Sequence, residues 1–208
     1  MLTVVGNLKG GTGKSTVAFN LAVWLAHGKH GVSTFDLDPQ ATLTDVCEVR
    51  REDGFEPVIP VSNSIDELEA LVKSNGKQPI IADVSATNMP DLEKAVALAS
   101  RILIPIQPSQ ADVWSTQRFL KIIGKIVDKD NTRIQGFINR ADTHIAVRET
   151  DEAEEALRML QGIEALKTRL YQRTAYRRSF SEGLGVFELD PMGKAAQEMK
   201  QLAKLLYK

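Results

Sequence analysis

The sequence predicts an α/β protein: a single three-layer domain over residues 1–208, in which a mostly parallel, twisted sheet is flanked by helices. Short apolar runs typical of strands alternate along the chain with longer stretches that have helical spacing. These runs are apolar on both faces, which indicates a parallel sheet covered by helices on each side. A chain of 208 residues can also bury a substantial core without splitting into domains.

The predicted elements alternate in a regular order. Apolar runs predict strands at residues 2–5, 31–35, 57–61, 78–83, 101–106 and 134–139. Helical spacing of apolar residues predicts helices at residues 17–25, 65–72, 90–99, 112–127, 148–160, about 172–182, and 193–208. The helix at 65–72 is expected to begin with Asn63 or Ser64 as its N-cap.

Composition narrows the classes of function. The chain has 26 Lys and Arg against 27 Asp and Glu, so a net charge of −1 gives no overall field that would attract nucleic acid or a membrane. The single cysteine, Cys47, excludes an internal disulfide framework and a multi-cysteine metal site, and we expect it to fill a small apolar gap. A strand-like start and the lack of a long apolar run predict a cytoplasmic protein without a signal peptide or a membrane span.

A glycine-rich loop at residues 9–16, Lys-Gly-Gly-Thr-Gly-Lys-Ser-Thr, connects the first predicted strand to the first predicted helix. Glycines let backbone N–H groups approach phosphate oxygens closely, and the helix N-terminus adds a positive end. Lys14 can then reach the β- and γ-phosphates of a nucleotide, while the Ser15 hydroxyl ligates Mg²⁺. The expected nucleotide-binding residues are Gly10, Gly11, Thr12, Gly13, Lys14, Ser15 and Thr16.

The loop departs from the plain phosphate-binding motif at two positions. Leu8 stands where the motif has glycine, and Lys9 is an additional lysine before the two glycines. Lys9 cannot easily turn back onto the phosphates of its own subunit, because Lys14 already fills that role. It is better placed to reach a nucleotide on a second subunit. The alternative is a solvated loop residue.

This deviant loop resembles that of the ParA/MinD family of dimerising ATPases, whose signature lysine contacts the ATP bound by the partner subunit. The chain is most similar to the short ParA type, which has no N-terminal DNA-reading domain. The resemblance implies ATP and Mg²⁺ as ligands, a homodimer that forms on ATP binding, and catalytic roles for Lys9 and Lys14.

Three carboxylates follow predicted strands, at the edge where open α/β sheets bind ligands. Asp83 closes one strand as a Walker B aspartate does, and would hold Mg²⁺ through water. Asp36 and Asp38 end the preceding strand, and strand alternation puts both side chains on one face. The string Asp-Leu-Asp-Pro-Gln resembles the family's second signature, which implies that Asp38 orients or activates the attacking water, Asp36 supports the Mg²⁺ shell and Gln40 positions phosphate-side groups. The common alternative for one aspartate after a strand is a helix N-cap or a turn.

Three later segments match the family more loosely. Residues 104–109 resemble the strand-to-switch segment that senses the γ-phosphate; the alternative is a strand end bounded by prolines. Asn139 and Arg140 resemble the strand end that recognises adenine, since an amide offers a donor and an acceptor to the base edge; the alternative is a turn asparagine. Residues 183–191 resemble the loop that closes over the base, and their last two residues would cap and start the final helix.

A basic segment gives the second indication of function, because residues 165–179 contain no acidic residue. A helix over about 172–182 would place Arg173 and Arg177 on one face, four residues apart. Unneutralised arginines suit a phosphate backbone, and without a base-reading motif such binding is independent of sequence. The alternative is a solvated basic face that pairs with the acidic residues at 149–155. The residues expected to contact double-stranded DNA are Lys167, Arg169, Arg173, Arg177 and Arg178.

The final predicted helix has an apolar stripe of Ala195, Met199, Leu202 and Leu206, with lysines on its other faces. Such a helix either packs on the domain or grips a membrane surface, as in MinD-type proteins. The stripe has no Phe or Trp and no further tail follows it, which favours packing on the domain. No membrane partner is therefore expected.

The resemblance as a whole implies an ATPase with weak intrinsic turnover that segregates or spaces a cargo, such as a plasmid, a chromosome origin or a protein assembly. In this interpretation the ATP-bound dimer holds nonspecific DNA of the nucleoid, and a ParB-like adaptor on the cargo stimulates hydrolysis and release. Three alternatives remain: a membrane-bound positioner of the MinD type, a small-molecule enzyme similar to dethiobiotin synthetase, and a nucleotide-gated scaffold or regulator with negligible turnover. The enzyme alternative needs a second pocket, for which the sequence has no motif.

Overall fold

The computed structural model describes residues 1–29, 31–74, 76–144 and 148–207, which form eight strands and nine helices. The strands are β1 (Leu2–Val5), β2 (Ser33–Asp36), β3 (Val61–Ser62), β4 (Ile80–Asp83), β5 (Arg101–Ile106), β6 (Arg133–Ala141), β7 (Glu164–Ala165) and β8 (Leu170–Tyr171). The helices are α1 (Lys14–Ala26), α2 (Thr42–Glu52), α3 (Ile65–Lys73), α4 (Met89–Leu98), α5 (Gln110–Ile123), α6 (Glu149–Met159), α7 (Thr174–Ser181), α8 (Val186–Leu189) and α9 (Lys194–Leu206).

The strands of the described chain pair in parallel, in the order β3-β2-β4-β1-β5-β6-β7, and β8 also pairs with β6. The central strand β1 lies between β4 and β5, with Val5 opposite Asp83 on one side and Leu103 on the other. Because the strands run the same way, their carboxyl ends share one edge of the sheet. That edge is where an open α/β sheet binds ligands.

The sheet separates two apolar clusters. Helices α1, α2, α7, α8 and α9 contribute to the cluster on one face, and α3 to α6 contribute to the cluster on the other. Val4 and Val5, successive residues of β1, face opposite clusters, as strand alternation requires. The predicted three-layer α/β architecture is therefore confirmed. Cys47 is buried in the first cluster, where burial raises the pKa of its thiol to about 12, so it fills an apolar gap as expected.

Helix α1 forms the centre of the first cluster and is buried over most of its length. Asn20, in the middle of this helix, is a fully buried polar residue; its Nδ2 donates to the Thr16 carbonyl at 2.9 Å and its Oδ1 accepts from the Val186 N–H at 2.8 Å. The buried amide is thereby satisfied on both sides. It ties the helix that follows the glycine-rich loop to the start of α8.

Strand and helix ends depart from the predictions for local reasons. β3 spans Val61–Ser62 instead of 57–61, because Pro57 and Pro60 cannot donate to a ladder. α5 begins at Gln110, since the Ser109 hydroxyl accepts the Asp112 N–H and caps the helix two residues earlier than expected. The strands β7 and β8 and the helix α2 have no counterpart among the predicted elements.

The final helix begins later than predicted. α9 starts at Lys194 with Gly193 as its N-cap, whereas Asp190 ends the short helix α8. A Cβ on Gly193 would lie 2.4 Å from Oδ2 of Asp190, so this carboxylate occupies the space beside the helix start. The prediction that Asp190 and Pro191 cap and start the last helix is therefore wrong.

The apolar stripe of α9 packs on the domain, as predicted. Ala195, Met199, Leu202 and Leu206 are each at most 3% exposed. Lys208, which the predicted helix included, lies outside the described residues. None of the described helices combines the length and the apolar character that crossing a membrane requires.

A fully buried arginine ties α2 to the segment around α8. The guanidinium of Arg50 donates to both carboxylate oxygens of Glu188, at 2.8 and 2.9 Å. It also donates to the carbonyl oxygens of Glu56, Pro57 and Gly183 at 2.9 to 3.0 Å. Its donors are thus matched by five acceptors, which is what makes a buried charge tolerable.

Replacing Arg50 with alanine should lower the free energy of unfolding by about 3–5 kcal/mol, because the Glu188 carboxylate loses its arginine partner and three carbonyls lose their donor. The neighbouring Arg51 is the matched control, since its side chain is 62% exposed and lies 3.9 Å from Glu48. Arg51→Ala should change the free energy by less than about 0.5 kcal/mol. Urea denaturation followed by circular dichroism measures both values, and equal losses would contradict the structural role of Arg50.

Candidate functional site

The loop between β1 and α1 depends on two glycines. Gly11 and Gly13 have φ values of 75° and 88°, and Gly13 is the N-cap of α1. A Cβ on Gly13 would lie 2.5 Å from Nδ2 of Asn139, so glycine is required there by both conformation and space. Lys14 begins α1 and is 8% exposed. Most of this side chain is therefore held within the loop.

Two amide side chains, one just after β5 and one in β6, brace the loop. Nε2 of Gln107 donates to the Gly11 carbonyl at 2.8 Å, and Nδ2 of Asn139 donates to the Thr12 carbonyl at 2.7 Å. The segment after β5 therefore contacts the loop directly. One N–H of the Asn139 amide is committed to the loop, so the second N–H and Oδ1 are the groups that this residue can offer to a ligand.

A cavity of about 450 Å³ opens over the loop. The loop forms one wall through its glycines, Lys14, Ser15 and Thr16, and the opposite wall contains Asp38, Gln40, Ser85 and Thr87. Backbone N–H groups, a lysine and a helix N-terminus make the loop side suited to phosphate groups. The fold thus brings the glycine-rich loop and the Asp-Leu-Asp-Pro-Gln string into one cavity.

A second cavity, of about 430 Å³, adjoins the first, and the two share Gly13, Thr16 and Arg140. Arg140 has a φ of 56°, at the point where the pairing of β6 with β8 changes register. The far wall is formed by β8 and α7 and includes Leu170, Tyr171, Arg173, Tyr176, Arg177 and Phe180. An aromatic and apolar wall beside a phosphate cavity suits the base of a nucleotide.

The wall over this second cavity differs from the sequence prediction. In the described chain it is α7, and not the segment 183–191, that lines the cavity. Phe180 of α7 packs edge-on against Phe19 of α1, with ring centroids 5.7 Å apart, which holds α7 in this position. The segment 183–191 instead contacts Arg50 through Gly183 and Glu188.

Asp83 ends β4 and is fully buried, and its carboxylate oxygens have no hydrogen-bond partner among the described residues. Burial raises the pKa of Asp83 to about 7; the charges of Asp36 and Asp38 add to the shift, and Ser15 and Lys14 oppose it. An orphaned carboxylate of this kind fits Mg²⁺, whose charge would compensate it. No three His, Cys, Asp or Glu side chains of the described ranges converge on a metal site, so Mg²⁺ here would also depend on Ser15, phosphates and water.

Asp36 and Asp38 differ in what their side chains contact. Asp36 lies opposite Asp83 on the neighbouring strand, but its Oδ2 accepts from the N–H and the hydroxyl of Thr44 at 2.8 and 3.0 Å. Asp38 is half-buried, lines the phosphate-side cavity and accepts the N–H of Gln40 at 3.1 Å. Asp36 therefore braces the start of α2, and of the two it is Asp38 that faces the cavity. The prediction that both side chains address the phosphate pocket therefore holds for Asp38 and not for Asp36.

Lys9 is held within its own subunit. Its ammonium lies 2.5 Å from Oδ2 of Asp112, a side chain that is 1% exposed, while Lys9 itself is 42% exposed. The Ser109 hydroxyl donates to the same Oδ2 at 2.5 Å, and Oδ1 of Asp112 is buried without a partner in the described part of the chain. Lys9 is therefore not simply a solvated loop residue, because its ammonium is paired with a buried carboxylate.

Most of the basic segment is neutralised, contrary to the sequence prediction. The ion pairs are Arg169 with Asp151 (2.7 Å) and Glu154, Arg173 with Glu198 (2.6 Å), and Arg178 with Glu182 (3.3 Å). The prediction considered carboxylates between 165 and 179, whereas these partners belong to α6, α9 and the end of α7. The alternative pairing with residues 149–155 is thus realised for Arg169. Lys167 and Arg177 are exposed.

The predicted helical face of the basic segment is also wrong. α7 begins at Thr174, and Arg173 is its N-cap with an extended φ of −113°. Arg173 and Arg177 both line the base-side cavity instead of forming one exposed face.

Comparison with known proteins places the chain among nucleotide-binding proteins. Residues 3–187 match the model of the CobQ/CobB/MinD/ParA nucleotide binding domain. The chain belongs to this family. The maintenance of carboxysome distribution protein A of Halothiobacillus neapolitanus is 29% identical over 206 residues, which cover 95% of this chain and 92% of that protein. Protein ParA of Rhizobium radiobacter is 26% identical over 189 residues, which cover 88% of this chain and 83% of that protein.

Solved structures of the family share the fold. The septum site-determining protein MinD of Pyrococcus horikoshii, complexed with Mg-ADP, has a TM-score of 0.77 to this chain at 21% identity, and the match covers 100% of this chain and 96% of that one. The resemblance to the ParA/MinD family and the mostly parallel three-layer sheet are therefore both confirmed.

Two features of the site have no place in the sequence prediction. Asp112 belongs to a Ser-x-x-Asp helix start, a pattern that predicts a helix N-cap. The pattern gives no sign that Asp112 also pairs with Lys9, which lies 103 residues earlier in the chain. Tyr176 and Phe180 line the base-side cavity. Their four-residue spacing was the available signal for an apolar face of α7.

The raised pKa of Asp83 predicts a pH dependence of stability. Between its ordinary value of 3.8 and the folded value of about 7, the folded protein binds a proton that the unfolded chain has released. The free energy of unfolding should therefore fall as pH rises through this window, by at most about 1.4 kcal/mol per pH unit, and level off above it. Urea denaturation between pH 5 and pH 8, without Mg²⁺ or nucleotide, measures this slope.

Asp83→Asn should reduce that slope, since the amide does not titrate. Asp130→Asn, an exposed loop substitution, is the control and should keep the wild-type slope. An unchanged slope in Asp83→Asn would show that the buried carboxylate is not the group responsible.

Proposed function

We propose that this protein is an ATPase that hydrolyses ATP to ADP and phosphate and that uses ATP-dependent dimerisation to position a cargo. The observation that carries the proposal is the single cavity shared by the phosphate loop and Asp38. The relatives support the cargo role, since one is named for carboxysome distribution and another is a ParA protein.

The phosphate loop and three aspartates have chemical roles in this proposal. The backbone of residues 10–16 and the Lys14 ammonium bind the phosphates, and Ser15 and Asp83 hold Mg²⁺, the latter through water. When bound, Mg²⁺ neutralises phosphate charge. Asp38 orients the attacking water and accepts its proton. Asp36 acts indirectly, since its hydrogen bonds to Thr44 position the chain that carries Asp38.

The base is proposed to bind in the second cavity. Its phosphate end is bounded by Asn139 and Arg140, and its far wall by Tyr176 and Phe180. The Oδ1 atom of Asn139 can accept a hydrogen bond from an exocyclic amine, which supports adenine as the base.

Asp38→Ala should bind ATP with nearly wild-type affinity but lose turnover by about 10²-fold or more, because the phosphate loop survives while the water loses its positioning group. Lys14→Ala should lose ATP binding itself. Asp45→Ala, an exposed substitution on α2, is the control and should keep both properties. Titration with a fluorescent ATP analogue and a phosphate-release assay measure the two effects. Wild-type turnover in Asp38→Ala would remove this residue from the mechanism.

Lys9 is proposed to contact the nucleotide of the partner subunit in an ATP-bound homodimer. In the single subunit its ammonium is paired with Asp112, at the first turn of α5. Dimerisation therefore exchanges one anionic partner, a carboxylate, for another, the phosphates of ATP. Because the Lys9–Asp112 ion pair must break first, it opposes dimerisation, and the contact of Lys9 with the partner's ATP must outweigh it.

Lys9→Ala should keep ATP binding and lose the ATP-dependent dimer. Asp112→Asn should have the opposite effect and form the dimer at lower protein concentration, since Lys9 is released while a polar side chain still meets Ser109. Ser109→Ala, which removes a hydrogen bond to Asp112 but keeps the carboxylate, is the control. Light scattering with ATP, with ADP and without nucleotide measures the mass. A normal dimer of Lys9→Ala would exclude its action on the partner subunit.

Nonspecific double-stranded DNA is the proposed surface for the ATP-bound dimer, and a ParB-like adaptor on the cargo is the proposed stimulator of hydrolysis. Lys167 and Arg177 are exposed. The pair of Arg178 with Glu182 is 65% and 44% exposed and 3.3 Å long, so it is weak and exchangeable. Two copies of these cations in a dimer would meet several phosphates at once, which supports DNA binding in the nucleoid only with ATP.

Lys167→Glu combined with Arg178→Glu should abolish DNA binding and spare ATP affinity, because neither residue lines the two nucleotide cavities. Arg177 is left unchanged, since it lines the base-side cavity. Lys73→Glu on α3 is the control. Fluorescence anisotropy with duplex DNA of two unrelated sequences measures binding, which should appear with ATP, ignore sequence and fall steeply with salt. The wild-type protein failing to bind duplex DNA with ATP at low salt would exclude this partner.

A further inference from the structure

A third cavity lies at the edge of the sheet opposite the phosphate loop. Its volume is about 710 Å³, larger than either nucleotide-side cavity. Met1 and Pro79 precede β1 and β4, and Arg101 and Arg133 begin β5 and β6, so the cavity is built at the amino ends of these strands. It shares no lining residue with the proposed nucleotide site.

The cavity contains a buried arginine. Arg101 is 6% exposed, and its Nε donates to Oε1 of Gln135 at 2.9 Å. Its Nη1 faces a weak acceptor, Sδ of Met1, at 3.9 Å, and its guanidinium lies 5.3 Å from the ring centroid of Tyr207. No carboxylate of the described residues lies within ion-pairing distance of Arg101. Its terminal N–H fork therefore has donors to offer to a ligand.

The surroundings of this arginine add positive charge. Lys29 and Arg133 also line the cavity, and none of the described lining residues is acidic. Burial is the main cause that lowers the pKa of Arg101, and Arg133 lowers it further, while Tyr207 and Glu164 oppose the shift. The nearest anionic influence, Glu164, reaches Arg101 only through the amide of Gln135. A buried cation without a direct carboxylate partner is costly, and an anion bound in the fork would lower that cost.

The other walls are apolar and aromatic. The rings of Trp24 and Tyr207 lie with their centroids 6.4 Å apart and their planes at 31°. Pro79 and Leu205 complete this side, and Leu205 is 45% exposed. A flat or aliphatic group would therefore find hydrophobic contact beside the guanidinium.

We propose that this cavity binds an anionic oxygen group, a carboxylate or a phosphate ester, that is carried on an aromatic or aliphatic body. Arg101 would bind the oxygens through its terminal N–H fork. Trp24 and Tyr207 would contact the body of the ligand. The ligand is either a free small molecule or the acidic end of a partner peptide, since both present the same chemistry. The site is separate from the nucleotide site and does not depend on the proposed ATPase activity.

The test uses the fluorescence of Trp24 in the full chain. The chain has two tryptophans, so Trp114→Phe, an exposed substitution on α5, leaves Trp24 as the single reporter. Phenylacetate and phenyl phosphate are titrated against phenylacetamide, which has a similar body without the charge. At least one anionic probe should change the Trp24 emission saturably, with an affinity about tenfold or more above that of the amide. No saturable response, or equal affinity for the amide, would overturn the proposal.

Two variants connect the response to the cations. Arg101→Gln should weaken binding of the anionic probe by about tenfold or more, and Arg133→Gln, at an exposed position, should weaken it severalfold while keeping the fold. Lys73→Gln on α3 is the matched control and should bind as the parent does. Probe binding that is unchanged in both Arg variants would overturn the proposal.

Two further arms separate the other possible occupants. Probe affinity should be the same with and without ATP and Mg²⁺; competition by ATP would show that the probe binds at the phosphate loop and would overturn the proposal. A short peptide ending in a phenylalanine carboxylate, compared with its amide, tests the peptide source against the free molecule. A chain extended by Gly-Ser after Lys208 should bind the probes as the parent does. If binding appears only in the extended chain, the occupant is the terminal carboxylate of the chain itself, and the external ligand is excluded.

Discussion

The hydrogen bond from Nδ2 of Asn139 to the Thr12 carbonyl, 2.7 Å long, joins the end of β6 to the phosphate loop. The same amide occupies the space that a Cβ on Gly13 would need, so the loop and the strand end fix each other. The left-handed backbone of Arg140 follows directly, and its side chain then borders both the phosphate-side and the base-side cavities. One strand end therefore sets the relation between the two halves of the nucleotide site.

Two buried aspartates near the phosphate loop differ in how well their charge is compensated. Asp83 is buried with both oxygens unpartnered, and Asp112 with one, among the residues the structure describes. Asp112 already holds the ammonium of Lys9, whereas burial raises the pKa of Asp83 to about 7. Both carboxylates lie where cations are proposed to move or bind. The electrostatic cost of burial is thus concentrated at the positions that would change state with nucleotide.

Local signals in the sequence predicted the sheet and the phosphate loop well. Consecutive apolar residues reveal a buried strand such as β4 without any knowledge of its neighbours, and the order strand, glycine loop, helix fixes the loop. Signals that depend on distant residues failed. The charge of Arg173 looked free because its partner, Glu198, lies 25 residues later, and β7 and β8 have two residues each, too few to show a period.

The central position of β1 has a consequence for how the chain acquires its structure during synthesis. Leu2–Val5 is made before both of its partner strands, Ile80–Asp83 and Arg101–Ile106. The phosphate loop therefore leaves the ribosome long before the strands that pair with β1 exist. The apolar residues of β1 stay unpaired on at least one side until about half of the chain has emerged. Non-local parallel pairing of this kind folds slowly and exposes apolar segments. This protein is thus most prone to aggregate during synthesis, while only its amino-terminal half has emerged.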